Sequence, residues 1–227
     1  MKRLLLCLAA TVFATALPVK IINADRATYG SAEYFGVVID AGHGGIDGGA
    51  VGVDSGALES DINLEIAKTL KDVLVSRGIR VTMTRTGADG LYGLPSKGFK
   101  LRDLSERVKT TERAKADALV SIHLNEYRDR NRRGAQVFYR IGDEISERLA
   151  KCVQARLNGL ETNTRDYAAL GGDYYILNET HIPAIICECG FLSNAKDEKL
   201  LLSTEYRKRL AMALFDGLTD FFASEKT

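Results

Sequence analysis

The 227-residue sequence has almost no net charge, which already narrows what the chain can do. Its 31 lysine and arginine residues nearly balance its 30 aspartate and glutamate residues, so the formal net charge is +1. This balance argues against a strongly basic nucleic-acid-binding face and against an acidic disordered chain. We therefore expect no nucleic-acid partner. Hydrophobic residues make up 45% of the chain, which is typical of a globular protein.

Cysteine is scarce as well. Of the four cysteines, Cys7 lies in an N-terminal apolar run, which leaves Cys152, Cys187 and Cys189 for the rest of the chain. An odd number argues against a disulfide framework, and we expect three buried thiols. A cysteine nucleophile is disfavoured, because on a strand both Cys187 and Cys189 would face away from Glu188.

Long apolar runs are confined to the N-terminus. Lys2 and Arg3 precede an apolar run over residues 4–17, and Pro18 follows it. This order is typical of an export signal, and the run is shorter than the roughly 20 residues that span a bilayer. We interpret residues 1–24 as an export signal, or as an N-terminal membrane anchor if the segment is not cleaved. The sequence therefore predicts a protein that acts outside the cytoplasm.

The rest of the chain alternates between apolar, strand-like runs and amphipathic, helix-like segments. This alternation predicts an α/β fold: a single domain over residues 34–224, with a mainly parallel, twisted sheet of about six strands and helices on both faces. The predicted strands are residues 36–40, 79–84, 118–124, 135–139, 174–177 and 184–189. The predicted helices are residues 60–77, 101–115, 144–157 and 204–222.

Residues capable of chemistry follow several of these strands. His43 lies in a glycine-rich turn after the first strand, and Glu59 lies where the first helix begins. His123 and Glu188 lie near the ends of two later strands. Because functional groups gather at the carboxyl ends of strands in an open α/β sheet, we expect these four residues to converge.

The residue types suggest a metal site. The sequence has three histidines, so any histidine-based metal site must use some of these. Two imidazoles with one carboxylate form a zinc ligand set that leaves one coordination position open. An unligated carboxylate is then needed to move protons, and Glu188 suits this role because its apolar surroundings should raise its pKa. The residues alone leave the third ligand open. Glu59 competes for that position with Asp47, Asp54, Asp61 and Glu65.

Four motifs resemble those of the zinc-dependent N-acetylmuramoyl-L-alanine amidases of the amidase_3 type. They are VVIDAGHGGIDGGAVG at 37–52, the Glu59 of ALESDINLEIA, SIHLN at 121–125 and PAIICECGFLSN at 183–194. The resemblance runs from about residue 37 to residue 222. It implies that His43, Glu59 and His123 bind Zn²⁺ and that Glu188 is the catalytic carboxylate. Residues Arg85, Arg107 and Asn125 match other family positions and are interpreted as supporting, whereas His181 matches no ligand position.

Residues 87–107, with the run KGFKLRDLSERV, resemble the spore-cortex, germination-specific members of the family. The resemblance implies hydrolysis of the amide between the lactyl group of N-acetylmuramic acid and L-alanine in peptidoglycan, leading to muramic-δ-lactam in the cortex. It also suggests an activating protein partner, with membrane contact only through the N-terminal segment. Two alternatives stay open: a zinc peptidase that cuts within the stem peptide, and a non-catalytic cell-wall-binding module.

Overall fold

Six strands and six helices lie along residues 35–225, the part of the chain that the computed structural model describes. The strands are β1 (Gly36–Ala41), β2 (Arg80–Met83), β3 (Ala118–Asn125), β4 (Gln136–Arg140), β5 (Leu170–Gly172) and β6 (Ala184–Phe191). The helices are α1 (Glu59–Ser76), α2 (Phe99–Ala114), α3 (Glu144–Leu157), α4 (Tyr175–Asn178), α5 (Ala195–Leu201) and α6 (Thr204–Ser224).

The strands form one sheet in the order β2-β1-β3-β6-β4-β5. The pairs β1–β2, β1–β3, β3–β6 and β4–β5 are parallel, and β4 runs antiparallel to β6. This arrangement confirms the predicted α/β fold with a mainly parallel sheet. The central strands β1, β3 and β6 are apolar along most of their length, as expected for strands covered on both sides.

Helices cover both faces of the sheet. On one face, α1, α3 and α6 pack on alternate residues of the strands and form the larger hydrophobic cluster, which includes Leu70, Leu149 and Leu214. On the other face, Val108 of α2 packs with a smaller cluster that includes Leu177 of α4. The prediction of helices on both faces is therefore confirmed.

The structure corrects the prediction for residues 174–177. They were expected to form a strand, but they belong to the single-turn helix α4, whose turn is closed by hydrogen bonds from Leu177 N and Asn178 N to Tyr174 O at 3.0 and 2.9 Å. The turn places the adjacent residues Ile176 and Leu177 together in the smaller hydrophobic cluster. A strand would send them to opposite faces.

Two short elements were not predicted. Strand β5 has three residues, two of them glycines, and lies in a segment that reads as a loop. Helix α5 has seven residues and begins after Asn194, whose side chain accepts hydrogen bonds from Lys196 N and Asp197 N at 3.0 and 3.1 Å. Elements this short carry little periodicity.

The remaining expectations concern cysteines and membrane segments. Cys187 and Cys189 are buried free thiols, as predicted, but Cys152 is only partly buried. Between residues 35 and 225, no helix combines the length and the apolar character needed to cross a membrane. The leader expected at residues 1–24 lies outside the described residues.

Candidate metal centre

Three of the predicted residues converge at the carboxyl ends of β1 and β3. His43, Glu59 and His123 each offer a ligand atom, and these atoms all lie within 4.8 Å of one another. Glu59 Oε1 is 3.2 Å from His43 Nε2 and 3.1 Å from His123 Nδ1. Two imidazole nitrogens and one carboxylate oxygen are a donor set that zinc accepts, so the residues present fit this ion.

His43 lies in the loop between β1 and α1 and has an unusual backbone conformation. Its φ is +60°, in the left-handed region that few residues other than glycine adopt. Such strain costs on the order of 1–3 kcal/mol and is found mostly at functional sites. The loop ends at Glu59, the first residue of α1, where the positive end of the helix dipole favours a carboxylate.

Two glycines of the glycine-rich turn make room for the cluster. A side chain at Gly42 would collide with the imidazole of His123. At Gly49 the φ is +70°, and a side chain there would collide with the carboxylate of Glu59. Glycine is therefore needed at these two positions because the side chains of His123 and Glu59 lie directly against the backbone of the turn.

Glu59 is held as an anion. Its side chain is buried, and the carboxylate accepts hydrogen bonds from Ala50 N at 2.8 Å and Leu124 N at 3.0 Å. Burial alone would raise its pKa, but His123 and His43 outweigh that effect and hold the pKa well below its usual range. The deprotonated form is the one that can bind a metal ion.

Glu188 stands beside the cluster on the neighbouring strand. It lies directly opposite His123 in the β3–β6 register, so strand pairing fixes its position. Its Oε2 atom is buried and has no hydrogen-bond partner among residues 35–225. Burial raises the pKa of Glu188 to about 7, and the nearby Glu59 carboxylate adds to this rise. An unpaired carboxyl that titrates near neutrality can both take up and release a proton.

Arg107 supports the cluster from α2. Its guanidinium is buried and donates to Asp40 Oδ1 and to the carbonyl of His43, both at 2.6 Å. Asp40 also accepts hydrogen bonds from Thr84 and Ser121 at 2.6 Å. Burial would raise the pKa of Asp40, but Arg107 and the two hydroxyls hold it below its usual range. This buried network fixes the backbone from which His43 projects.

Arg85 has a similar role at the other side of the turn. Its buried guanidinium donates to the carbonyls of Ala41, Gly42 and Ser60 at 2.8, 2.9 and 2.7 Å. These bonds tie the end of β1 to the start of α1, so both arginines support the site through its backbone. Asn125, the third residue expected to support it, is the last residue of β3.

The competing acidic candidates do not join the ligand atoms. Asp54, Asp61 and Glu65 are exposed and lie outside the cluster, as does the exposed His181. Asp47 contacts the cluster from outside, with Oδ2 3.0 Å from Nδ1 of His43. Of the acidic candidates for the third ligand position, Glu59 is the one whose carboxylate lies together with the two imidazoles.

Two imidazoles and a buried carboxylate lie together at one rim of the α/β sheet, beside the carboxyl of Glu188. Such an arrangement is typical of metal-dependent hydrolases. Comparison with known proteins specifies the family. The sequence profile of the N-acetylmuramoyl-L-alanine amidase family matches residues 37–220, and the chain belongs to this family.

Individual relatives agree with this assignment. The germination-specific N-acetylmuramoyl-L-alanine amidase of Bacillus subtilis (strain 168) is 36% identical over 193 residues, covering 83% of this chain and 80% of the relative. The CwlD amidase of Clostridioides difficile, solved in complex with the GerS lipoprotein, matches with a TM-score of 0.80 and 34% identity over 84% of this chain and 99% of that chain. The catalytic domain of CwlV from Bacillus (Paenibacillus) polymyxa var. colistinus matches with a TM-score of 0.71, 30% identity, and coverage of 83% and 98%. The chain is therefore an amide hydrolase that acts on peptidoglycan.

Proposed function

We propose that this chain is a zinc-dependent amidase that cleaves the bond between the lactyl group of N-acetylmuramic acid and L-alanine, in maturation of the spore cortex. The observation that carries the proposal is the convergence of His43, Glu59 and His123 beside Glu188, in a chain of this family. The germination-specific relative supports the cortex role, in which the freed muramic acid would feed muramic-δ-lactam formation.

The zinc ion would be held by His43, Glu59 and His123. These residues supply two nitrogens and one oxygen and leave a position open for water or substrate. When bound, zinc would act as a Lewis acid that polarises the amide carbonyl and makes water a better nucleophile. The negative charge of Glu59 offsets part of the charge of the ion in a buried setting.

Glu188 would move the proton in both halves of the reaction. Its unpaired Oε2 takes a proton from the attacking water, and the same oxygen then delivers it to the nitrogen of the departing alanine. A pKa of about 7 suits both transfers, because neither form of the carboxyl is strongly favoured near neutral pH. The products are the free lactyl carboxylate and the free stem peptide.

The proposal includes export and a protein partner. Residues 1–24 would direct the chain out of the cytoplasm, and any membrane contact would be made through this segment. The CwlD amidase was solved in complex with the GerS lipoprotein, which supports an activating partner of that kind for this chain. Regulation by a partner fits an enzyme whose unregulated activity would damage the wall of its own cell.

Digestion of purified peptidoglycan tests the proposed bond. Cortex and vegetative peptidoglycan are incubated with the protein, with and without a zinc chelator, and the products are identified by mass spectrometry. We expect cortex fragments with a free lactyl carboxylate and stem peptides that begin with alanine, both lost with chelator. Cleavage inside the stem peptide would instead indicate a zinc peptidase, and binding without cleavage a wall-binding module.

The role of Glu188 is tested by Glu188→Gln. We expect a loss of about 10²–10⁴-fold in kcat, because the amide cannot accept the proton, while zinc stoichiometry by elemental analysis stays unchanged. The exposed Glu179 at the end of α4 provides the matched control, since Glu179→Gln removes the same charge away from the ligand cluster. Normal cleavage by Glu188→Gln would remove this residue from the mechanism.

A further inference from the structure

We propose that Asp47 is a positioning residue for the metal centre, which orients the imidazole of His43 so that its Nε2 atom faces the other ligands. The inference rests on the proposed zinc site and adds to it a residue outside the ligand set. It starts from the position of the His43 ring between two carboxylates.

The two nitrogens of His43 have different neighbours. Nε2 is 3.2 Å from Glu59 Oε1, on the side of the ligand cluster, and Nδ1 is 3.0 Å from Asp47 Oδ2. Nδ1 of His43 and Oδ2 of Asp47 lie within the distance of an ion pair but are not aligned as a hydrogen bond. Asp47 therefore acts on the imidazole through its charge. A carboxylate beside Nδ1 favours the proton on that nitrogen, which leaves the lone pair of Nε2 free to bind an ion.

Asp47 reaches this position through a tight turn. Gly44 N donates to Asp47 O at 2.8 Å, and Asp47 N donates to Gly44 O at 3.2 Å, so the chain folds back on itself directly after His43. The tip of the turn is anchored separately, because Ile46 N donates to the hydroxyl of Tyr92 at 2.8 Å. The backbone therefore holds Asp47 in place independently of its contact with the imidazole.

Lys100 contacts the other oxygen of the same carboxylate. Its Nζ lies 3.5 Å from Asp47 Oδ1, while Oδ2 faces His43. The lysine side chain is 68% exposed, so solvent weakens the interaction. Lys100 thus leaves Asp47 with enough negative charge to act on His43, and the two oxygens of the carboxylate have separate partners.

The test compares zinc affinity in Asp47→Asn and Asp54→Asn. Both variants remove one negative charge from the β1–α1 loop, but Asp54 is exposed and lies outside the cluster. Zinc dissociation constants are measured by competition with a chromophoric chelator. We expect Asp47→Asn to bind zinc about 10–100-fold more weakly than the wild type, as is typical when the partner of a ligand histidine is lost. We expect Asp54→Asn to match the wild type.

A third variant and a stability measurement separate positioning from folding. Asp47→Glu keeps the charge and should recover part of the affinity that Asp47→Asn loses. The Tm of the metal-free protein should be the same in all three variants. Replacement of a purely structural residue would instead lower this Tm. Equal zinc affinity in Asp47→Asn and Asp54→Asn would overturn the proposal, as would a loss of affinity that is matched by a lower metal-free Tm. Failure of the wild type to bind zinc would instead overturn the proposed function.

Discussion

The two faces of the sheet differ in composition although the same strands form both. Alternate residues of β1, β3 and β6 enter the large apolar cluster under α1, α3 and α6, with members such as Val120 and Cys187. The residues between them carry Asp40, His123 and Glu188 toward the face covered by α2. Strand alternation thus places the strand residues of the candidate site and those of the larger apolar cluster on opposite faces of the sheet. The following variants test how complete this separation is.

The largest loss of stability is expected on the face covered by α2, from Arg107→Met. The change leaves Asp40 buried without its cationic partner, which typically costs about 3–5 kcal/mol of the free energy of unfolding. It also removes the hydrogen bond to the carbonyl of His43, so zinc affinity should fall as well. Urea unfolding and zinc titration measure the two effects. Arg113→Met, at an exposed position of the same helix, is the control, and a similar result for both variants would contradict the role of Arg107.

On the face covered by α1, α3 and α6, Leu149→Ala tests the stability of the hydrophobic core separately from catalysis. Leu149 is a completely buried residue of α3, and its truncation should cost about 2–5 kcal/mol of the free energy of unfolding. The kcat of the folded fraction should not change, because the residue belongs to the cluster on the other side of the sheet. Ile145→Ala, on the same helix at 44% exposure, should have little effect on either. A lower kcat in folded Leu149→Ala would show that the two faces are coupled.

The stability contribution of the face covered by α2 should also depend on pH, because Asp40 is buried there as an anion. The folded-state pKa of Asp40 is lowered: burial would raise it, but Arg107 and the hydrogen bonds of Ser121 and Thr84 outweigh burial. A lowered pKa contributes stability that is fully present above the unfolded-state value of about 4, and that is lost as the pH falls through the folded-state value. The free energy of unfolding of the metal-free protein, measured between about pH 5 and pH 2, should therefore fall more steeply with acidification for the wild type than for Asp40→Asn. Identical slopes would contradict this account.

The smallest effect is expected at the exposed edge of the apolar face. Arg156 of α3 and Asp220 of α6 form an ion pair at 2.6 Å, with the two side chains 48% and 42% exposed. Such pairs contribute about 0.2–1 kcal/mol, and salt reduces the contribution further. Arg156→Gln should therefore lower the Tm slightly at low salt and leave it unchanged at 1 M salt. A loss comparable to that of Leu149→Ala would show that surface charge, rather than the core, holds the two helices together.

Much of this arrangement could be predicted from the sequence. Apolar runs predicted β1, β3 and β6, and the order of strands and helices predicted the parallel sheet. The convergence of His43, Glu59 and His123 followed from the rule that the carboxyl ends of parallel strands share one rim. Glu188 was expected at the same rim, and its position opposite His123 agrees with that expectation.

The features that were missed depend on contacts that leave no local pattern. The pair between Asp40 and Arg107 joins residues 67 positions apart, and no spacing rule connects them. Helix α4 is a single turn fixed by packing, so its residues read as a strand. Asp47 was considered as a ligand because it is an acid near His43, but its place beside the outer nitrogen depends on the conformation of the turn.

The pairing of His123 with Glu188 has one further consequence. The two residues are neighbours across the two central strands of the sheet, where the backbone spacing is fixed at about 4.8 Å by interstrand hydrogen bonds. The distance between this ligand and the proposed proton carrier is therefore set by the backbone of the sheet, and loop movement cannot adjust it. His43 and Glu59 instead lie at the two ends of the loop between β1 and α1, so their positions depend on the hydrogen bonds of Arg85 and Arg107 to that loop. The spacing of His123 and Glu188 is therefore in place as soon as the sheet has formed, before any substrate binds.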